Sequence, residues 1–145
     1  MSLEIDNEKK SSTIKSWEEL ECNMQLIRGI YSYGFEKPSP IQEKAILPLI
    51  NNKDVIAQAQ SGTGKTGCFT IGALALIDYE LDATQIIIMA PTRELAEQIK
   101  KVVDNISQYI ENFSSELLIG GVSSEDNIRN LKNNPKIVPD KLIKL

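Results

Sequence analysis

One stretch decides the fold: Ala59-Gln60-Ser61-Gly62-Thr63-Gly64-Lys65-Thr66. A short apolar run, Val55 to Ala57, precedes it, and a long apolar segment begins at Gly67. Strand, glycine-rich turn and helix in this order are the context of a phosphate-binding loop. Glycines allow backbone conformations in which successive N–H groups point at phosphate oxygens, beside the positive end of the helix dipole. The sequence therefore predicts a nucleotide site.

The last two residues of the stretch carry the candidate chemistry. Lys65 would supply an ammonium group to the β- and γ-phosphates, and Thr66 would supply a hydroxyl to bound Mg²⁺. The strict pattern begins with glycine, whereas this chain has Ala59 there. The alternative is a glycine-rich turn with one exposed lysine, but the strand before it and the helix after it favour the phosphate loop.

The composition limits the function classes. The chain has 145 residues, which fits one domain, with 41% hydrophobic and 25% charged residues. It has no histidine, which excludes a nucleophile activated by imidazole and argues against a zinc site. Cys22 and Cys68 form no paired motif and are expected to be reduced and partly buried. A net charge of −4 is unlike the basic surface of a protein that grips nucleic acid mainly by charge.

The sequence predicts neither a membrane span nor a secretion signal. No stretch approaches the twenty apolar residues of a membrane span, and the N-terminus lacks the pattern of a secretion signal. We therefore expect a cytoplasmic protein with no membrane contact. Residues 1–15 are polar and predict a flexible tail, and residues 16–145 predict one domain.

Hydrophobic periodicity predicts alternating helices and strands. A helical stripe from Ser16 to Gly34 is followed by a helix over 41–50 and another after Thr66. Gln85 to Ala90 predicts a strand buried on both faces, and Pro91-Thr92 begins the next helix. The remaining predicted elements are a strand over Glu116 to Ile119, a helix that Ser124 caps and that ends at Leu131, and a strand at Lys136 to Val138.

This order of elements predicts the fold class. Strands that alternate with helices indicate an α/β fold with an open parallel sheet and flanking helices. Ligands of such sheets bind at the carboxyl ends of the strands. The phosphate loop, Pro91-Thr92 and Gly120-Gly121 each follow a predicted strand. We expect these three turns at one rim.

Four motifs together resemble a known family. They are Tyr33 to Gln42 (Tyr-Gly-Phe-Glu-Lys-Pro-Ser-Pro-Ile-Gln), Ala59 to Thr66, Pro91 to Ala96 (Pro-Thr-Arg-Glu-Leu-Ala) and Gly120-Gly121. In this order they resemble the N-terminal ATPase core of DEAD-box ATP-dependent RNA helicases, most closely the translation initiation factor 4A type. Ala59 in place of glycine is usual in that family. The resemblance implies a P-loop NTPase (RecA-like) domain that is incomplete here.

The resemblance implies an adenine contact at Gln42, whose amide can pair with N6 and N7 of the base. Phe35 can lie against the adenine ring in a loop that prolines stiffen. The alternatives are a solvated residue at a helix start for Gln42 and ordinary core packing for Phe35 and for Trp17. The implied ATP-binding residues are Phe35, Lys37, Pro40, Gln42, Gln60, Ser61, Gly62, Thr63, Gly64, Lys65 and Thr66, with Lys65 and Thr66 also catalytic.

The resemblance also implies an RNA-binding set, namely Pro91, Thr92, Arg93, Gly120 and Gly121. Backbone amides at a helix start, a hydroxyl and a guanidinium group are all phosphate donors, so they bind the sugar-phosphate backbone without reading sequence. The alternatives are a simple helix cap for Thr92 and a solvated first turn for Arg93-Glu94. Protein partners of the translation-initiation type are a further implication.

The chain departs from the family after Val138. The family continues with Thr-Pro-Gly-Arg, whereas this chain reads Pro139-Asp140-Lys141 and has no Asp-Glu-Ala-Asp strand or second domain. Asp140 is a weak candidate for the missing carboxylate, because Pro139 argues against a strand there. We expect an ATP-binding and RNA-binding fragment that does not turn over ATP alone, with sheet edges open to association. The alternatives are a non-catalytic ATP or RNA-binding module and, less favoured, another P-loop NTPase.

Overall fold

A computed structural model describes residues 13–120 and 123–141. Five α-helices and two paired strands lie in these ranges, after a short 3₁₀ turn at Trp17–Glu19. The helices are α1 (Met24–Ser32), α2 (Pro40–Ile50), α3 (Lys65–Leu76), α4 (Arg93–Ser107) and α5 (Ser124–Leu131), and the strands are β1 (Ile86–Ala90) and β2 (Ile137–Lys141). The α/β class with parallel pairing and flanking helices is confirmed.

The predicted tail extended too far. Residues 1–12 lie outside the described part, but Ile14 is buried in the core and its N–H donates to the Glu43 carbonyl oxygen at 3.1 Å. Lys15 reaches the same residue, with its ammonium 2.7 Å from the Glu43 carboxylate. Packing against α2 therefore orders the chain before the predicted boundary at residue 16.

The helix predicted from Ser16 to Gly34 is two elements. The 3₁₀ turn ends before Leu20, and α1 starts after Asn23, whose side chain accepts a hydrogen bond from the Gln25 N–H at 2.8 Å. The interruption rotates α1, so Met24 is exposed and Leu26 takes the buried position. Asn23 is the kind of residue that starts a helix, and the apolar stripe concealed this signal.

The core lies between α1, α2, α3 and α4. Gly29 of α1 packs against α4 so closely that a Cβ there would overlap the Ile106 carbonyl oxygen. The largest fully buried side chains of the described part are mainly aliphatic: Ile14, Trp17, Leu26, Ile30, Ile46, Ile71, Leu74, Val103, Ile106 and Ile137, with Gln42 and Thr70 as the polar exceptions. The expected apolar side of α4 is confirmed at Ile99, Val103 and Ile106.

The two strands pair in parallel, with Ile86 opposite Ile137 and Ala90 opposite Lys141. The predicted strand Glu116 to Ile119 is present only as isolated parallel bridges, Ser115 with Ile137 and Leu118 with Asp140. The N–H groups of Glu116 and Leu118 donate to the Ile137 and Pro139 carbonyl oxygens at 3.0 and 2.9 Å.

Pro139 explains this incomplete pairing. It lies inside β2, where the sequence argued against a strand, so that expectation is wrong. Its carbonyl oxygen faces Leu118, and the N–H that proline lacks would have faced the same side. Pairing with β1 uses the other side of β2 and is unaffected. The missing donor weakens only the outer ladder, a position in which proline is tolerated.

Two further strand predictions are wrong. Residues 55–57 form no strand within the described part, and Ile56 is fully exposed. β1 was expected to be buried on both faces, but Ile87 and Met89 are 67% and 57% exposed. The helix α4 packs against both strands from one side, and no described helix covers Ile87 and Met89. One sheet face is therefore open.

The helix α5 also starts differently from the prediction. Its cap is Ser123, whose hydroxyl oxygen accepts a hydrogen bond from the Asp126 N–H at 3.1 Å, and Ser124 is the first helical residue. Both serines suit a cap, so sequence alone left a one-residue ambiguity. In the described part of the chain, no helix is long and apolar enough to cross a membrane.

The open sheet face gives a test of the fold. Replacing Ile137 with Ala removes a fully buried side chain and should lower the free energy of unfolding by about 2–5 kcal/mol. Ile87→Ala is the matched control, an isoleucine in the neighbouring strand on the exposed side, and should cost less than about 1 kcal/mol. Urea unfolding followed by circular dichroism measures both. Equal losses would contradict a one-sided sheet.

Candidate nucleotide and RNA-backbone site

The phosphate loop lies directly at the N-terminus of α3. Gly62 and Gly64 have φ values of +79° and +91°, in the region that favours glycine, and Gly64 is the N-cap of the helix. The first helical residues are Lys65 and Thr66. The N–H groups of this turn and the positive end of the helix dipole therefore face the same space. This geometry agrees with the function predicted from the sequence.

The Lys65 ammonium folds back over the loop. It donates to the carbonyl oxygens of Ala59 and Gln60, the latter at 2.6 Å. The Thr63 hydroxyl donates to the same Gln60 carbonyl oxygen at 2.7 Å. The cation is thus held against the loop backbone by neutral acceptors. A phosphate oxygen is a stronger acceptor, because both partners of that hydrogen bond carry charge.

Gln42 is bound to the phosphate loop. Its side chain is 1% exposed, and its Nε2 donates to the Gly64 carbonyl oxygen at 3.1 Å. Its Oε1 accepts a hydrogen bond from the Ser39 N–H at 2.8 Å, while the Ser39 hydroxyl donates to the Thr63 carbonyl oxygen at 2.9 Å. The alternative of a solvated Gln42 is wrong. Its contact with adenine stays a prediction.

Ser39 is a functional neighbour that sequence reasoning missed. Ser39 and Gln42 form a capping box at the start of α2, in which each side chain bonds to the backbone of the other residue. The signal was the Ser-x-x-Gln spacing, which is typical of such boxes. The box fixes two side chains in an orientation that also reaches Thr63 and Gly64. The start of α2 and the phosphate loop are therefore joined by two hydrogen bonds.

The aromatic residues form a cluster behind the loop. The Trp17 indole N–H donates to the Phe35 carbonyl oxygen at 2.8 Å, and the Tyr33 and Phe35 rings meet edge to face at 4.9 Å between centroids. Trp17 is fully buried, which confirms the core alternative for that residue. Phe35 is half-buried and lines the same cavity as the phosphate loop. Lys37 and Pro40 are exposed.

The cavity beside the loop has a volume of about 810 Å³ and is mainly apolar. Besides Lys65, Thr66 and Phe35, it is lined by Val55, Leu95 and Val102. Cys68 also lines it, and burial raises the pKa of that thiol to about 11, so the sulfur stays protonated at neutral pH. Space for an apolar ring system thus adjoins the phosphate loop.

The predicted RNA-binding residues lie at the start of α4. Thr92 is the N-cap, and its hydroxyl oxygen accepts a hydrogen bond from the Leu95 N–H at 3.2 Å, which confirms the capping alternative. The Arg93 guanidinium pairs with Glu97 at 3.0 Å and donates to the Gly120 carbonyl oxygen at 3.4 Å. Pro91 is exposed, and Gly121 lies outside the described residues. Two of the three rim turns are therefore in direct contact.

Fold and site together define a nucleotide-binding α/β domain of the P-loop class. The model of the DEAD/DEAH box helicase family matches residues 39–142. The chain belongs to this family.

Curated relatives and solved structures support this assignment. The chain is 51% identical over 126 residues to the ATP-dependent RNA helicase eIF4A of Neurospora crassa, covering 87% of the chain and 32% of that relative. The eIF4A of Meyerozyma guilliermondii is 49% identical over 127 residues, covering 88% of the chain and 32% of the relative.

Two solved structures show the same fold. A DEAD box protein from Methanococcus jannaschii superposes with a TM-score of 0.81 at 31% identity, covering 89% of this chain and 35% of that one. Saccharomyces cerevisiae Dbp5 bound to RNA and ADP BeF3 gives a TM-score of 0.74 at 36% identity, covering 88% of this chain and 32% of that one. The chain thus spans about a third of the length of the relatives it matches.

Gly67 gives a test of the packing behind the loop. An added Cβ would lie 2.6 Å from the Phe35 ring and 2.9 Å from Gln42 Nε2. Gly67→Ala should therefore lower the free energy of unfolding by about 1–3 kcal/mol. It should also shift the fluorescence of Trp17, the single tryptophan, which bonds to Phe35.

Gly72→Ala in the same helix is the control, because its methyl would meet only the flexible Leu49 side chain, at 3.0 Å. Fluorescence-detected urea unfolding measures both variants. An unchanged Trp17 emission in Gly67→Ala would show that the cluster is not coupled to the start of α3.

Proposed function

We propose that this chain is the nucleotide-binding part of an ATP-dependent RNA helicase. One observation carries the proposal: Gln42, the predicted reader of the base, is hydrogen-bonded to Gly64 of the phosphate loop. This bond brings the predicted base contact on α2 and the predicted phosphate loop at the N-terminus of α3 together in one site. ATP-dependent RNA helicases are also what the eIF4A relatives are named. The proposal for this chain concerns ATP binding and not ATP hydrolysis.

Triphosphate binding would proceed by exchange at Lys65. Its ammonium leaves the carbonyl oxygens of Ala59 and Gln60 and bonds to phosphate oxygens, while N–H groups of residues 60–66 surround the phosphates. Gln60, Ser61 and Thr63 take part through this backbone. When Mg²⁺ is bound it neutralises phosphate charge, and the Thr66 hydroxyl is the group of this chain that would hold it.

Adenine binding would use the pocket between Phe35 and the start of α2. The Phe35 ring offers an apolar face, and Gln42 offers an amide donor and acceptor in the pattern that matches N6 and N7. Lys37 lies between α1 and α2, and Pro40 is the first residue of α2. Both are exposed and would cover the solvent side of the base. Guanine presents O6 in place of the amino group, so ATP should bind better than GTP.

RNA binding would use the rim formed by α4 and Gly120. The donors are the N–H groups after Pro91, the Thr92 hydroxyl and the Arg93 guanidinium, and they suit a sugar-phosphate strand rather than base edges. Gly120 and Gly121 would allow the strand to approach the backbone closely. The solved relative Dbp5 is bound to RNA and ADP BeF3 together, which supports the binding of both kinds of ligand by this chain.

We also propose a role in translation initiation, with protein partners of that kind, and this rests on the likeness to the eIF4A type alone. A cytoplasmic location is a separate proposal, which rests only on the sequence expectation given above.

Lys65→Ala tests the phosphate site. The variant should bind ATP at least about tenfold more weakly, because a charged hydrogen bond contributes about 1.5–3 kcal/mol. Adenosine affinity should not change, since the ammonium contacts phosphate only. Isothermal titration calorimetry with both ligands measures the difference. Lys44→Ala, which removes an exposed lysine of α2, is the control for charge, and an unchanged ATP affinity in Lys65→Ala would reject this loop as the phosphate site.

Gln42→Ala tests the adenine contact. The wild-type chain should prefer ATP to GTP. In the variant, the ratio of the ATP affinity to the GTP affinity should fall by about tenfold. The ratio of the two affinities is the correct readout, because the variant also loses the bond to Gly64 and should weaken both nucleotides. Gln108→Ala, which removes an exposed glutamine at the C-cap of α4, serves as control. An equal loss for ATP and GTP would count against base readout.

A further inference from the structure

A second cavity lies at the opposite edge of the sheet from the nucleotide and RNA rim. It has a volume of about 450 Å³. Three connecting segments form it: 79–82 before β1, 112–114 before the segment that pairs with β2, and 133–136 before β2. Arg93 and Gly120 follow strands, whereas these residues precede them. The two sites are therefore separated by the length of the strands.

The base of this cavity contains a buried cation. Lys136 is 5% exposed, and its ammonium donates to the Leu81 carbonyl oxygen. It forms no ion pair with any carboxylate of the described ranges 13–120 and 123–141. A lysine ammonium has three N–H bonds, so two find no acceptor in this part of the chain. A buried charge without a counter-charge is costly.

The rest of the lining supplies neutral hydrogen-bond donors and two carboxylates. The neutral groups are the amides of Asn112, Asn133 and Asn134 and the hydroxyl of Ser114. The Tyr79 hydroxyl is already used, because it donates to the Leu74 carbonyl oxygen at 2.6 Å. The carboxylates of Glu80 and Asp82 belong to exposed residues. Solvent screens their charges, whereas the charge of the buried ammonium is screened far less.

We propose that this cavity binds a small oxyanion, a carboxylate or a phosphate group. The Lys136 ammonium is the counter-charge, and the Asn and Ser side chains bond to the remaining oxygens. Such a ligand satisfies the two free N–H bonds of a cation that burial otherwise makes costly. Charge-assisted bonds of this kind are short and strong. The site is independent of the nucleotide site and of the proposed helicase function.

The test is an amide NMR titration of the Lys65→Ala chain, in which the phosphate loop has lost its own cation. Inorganic phosphate and succinate are titrated separately, so that the two arms identify which oxyanion binds. We expect saturable shifts at 112–114 and 133–136 with at least one of them. No saturable shift there with either probe, or shifts confined to 59–66, would overturn the proposal.

Variants assign the binding to the named side chains. Lys136→Met keeps the length of the side chain and should weaken binding by about tenfold or more. Lys132→Met removes an exposed lysine nearby and should change the affinity by less than about twofold. If Lys136→Met does not fold, Asn134→Gly decides, because the φ of +49° at Asn134 suits glycine and the fold is kept. It should weaken binding by about threefold, and unchanged affinity in the folded variants would refute the site.

Discussion

The hydrogen bond from Gln42 Nε2 to the Gly64 carbonyl oxygen is the constraint on which the site depends. It is possible because neither Gly64 nor Gly67 has a Cβ, since one at either position would lie 2.9 Å from Gln42 Nε2. The same bond joins α2 to α3. The proposed base pocket and the phosphate loop are therefore structurally coupled, so that a movement of one displaces the other.

This coupling has a consequence for ligand binding. When Lys65 moves from loop carbonyl oxygens to a phosphate, the loop that those bonds closed must open. Thr63 and Gly64 are held by Ser39 and Gln42, so the movement reaches the start of α2. In the proposed mode of binding, part of the free energy of phosphate binding would then be used to reorient Gln42, the residue proposed to contact the base. Affinity for the whole nucleotide should exceed what its two halves suggest separately.

Of the four predicted strands, those at 85–90 and 136–138 are present as β1 and β2, whereas 55–57 forms no strand and 116–119 forms only isolated bridges. The helices were predicted more completely, for a physical reason. The apolar faces of α2, α3 and α4 follow from residues three and four apart, which lie on the same side of any helix. A strand exists only where a neighbour completes its ladder, so its own residues do not decide it. Residues 55–57 have the composition of a strand but no described partner. β2, in contrast, tolerates Pro139. The N–H group that proline lacks would face segment 115–118, which pairs with β2 only through isolated bridges.

The candidate site, like the fold, was predicted only in part from the sequence. Three turns were expected at one rim because each follows a predicted strand. The hydrogen bond from Arg93, which follows Pro91-Thr92, to the Gly120 carbonyl oxygen brings two of them together. The sequence could not show that Gln42 is buried. Its burial depends on the close approach of α3 to α2, which the missing Cβ atoms of Gly64 and Gly67 allow. It could not show that Lys136 is buried either, since a lysine before a strand is normally solvated.

The two edges of the sheet differ in how they treat positive charge. At the carboxyl edge, Lys65 is half-buried and bonded to backbone carbonyl oxygens. At the amino edge, Lys136 is fixed by burial and by the start of β2. A half-buried cation can exchange neutral acceptors for a ligand that is bound and released, whereas a fixed one suits a ligand that stays. An oxyanion at Lys136 would therefore act on the stability of the sheet, from the edge away from the nucleotide.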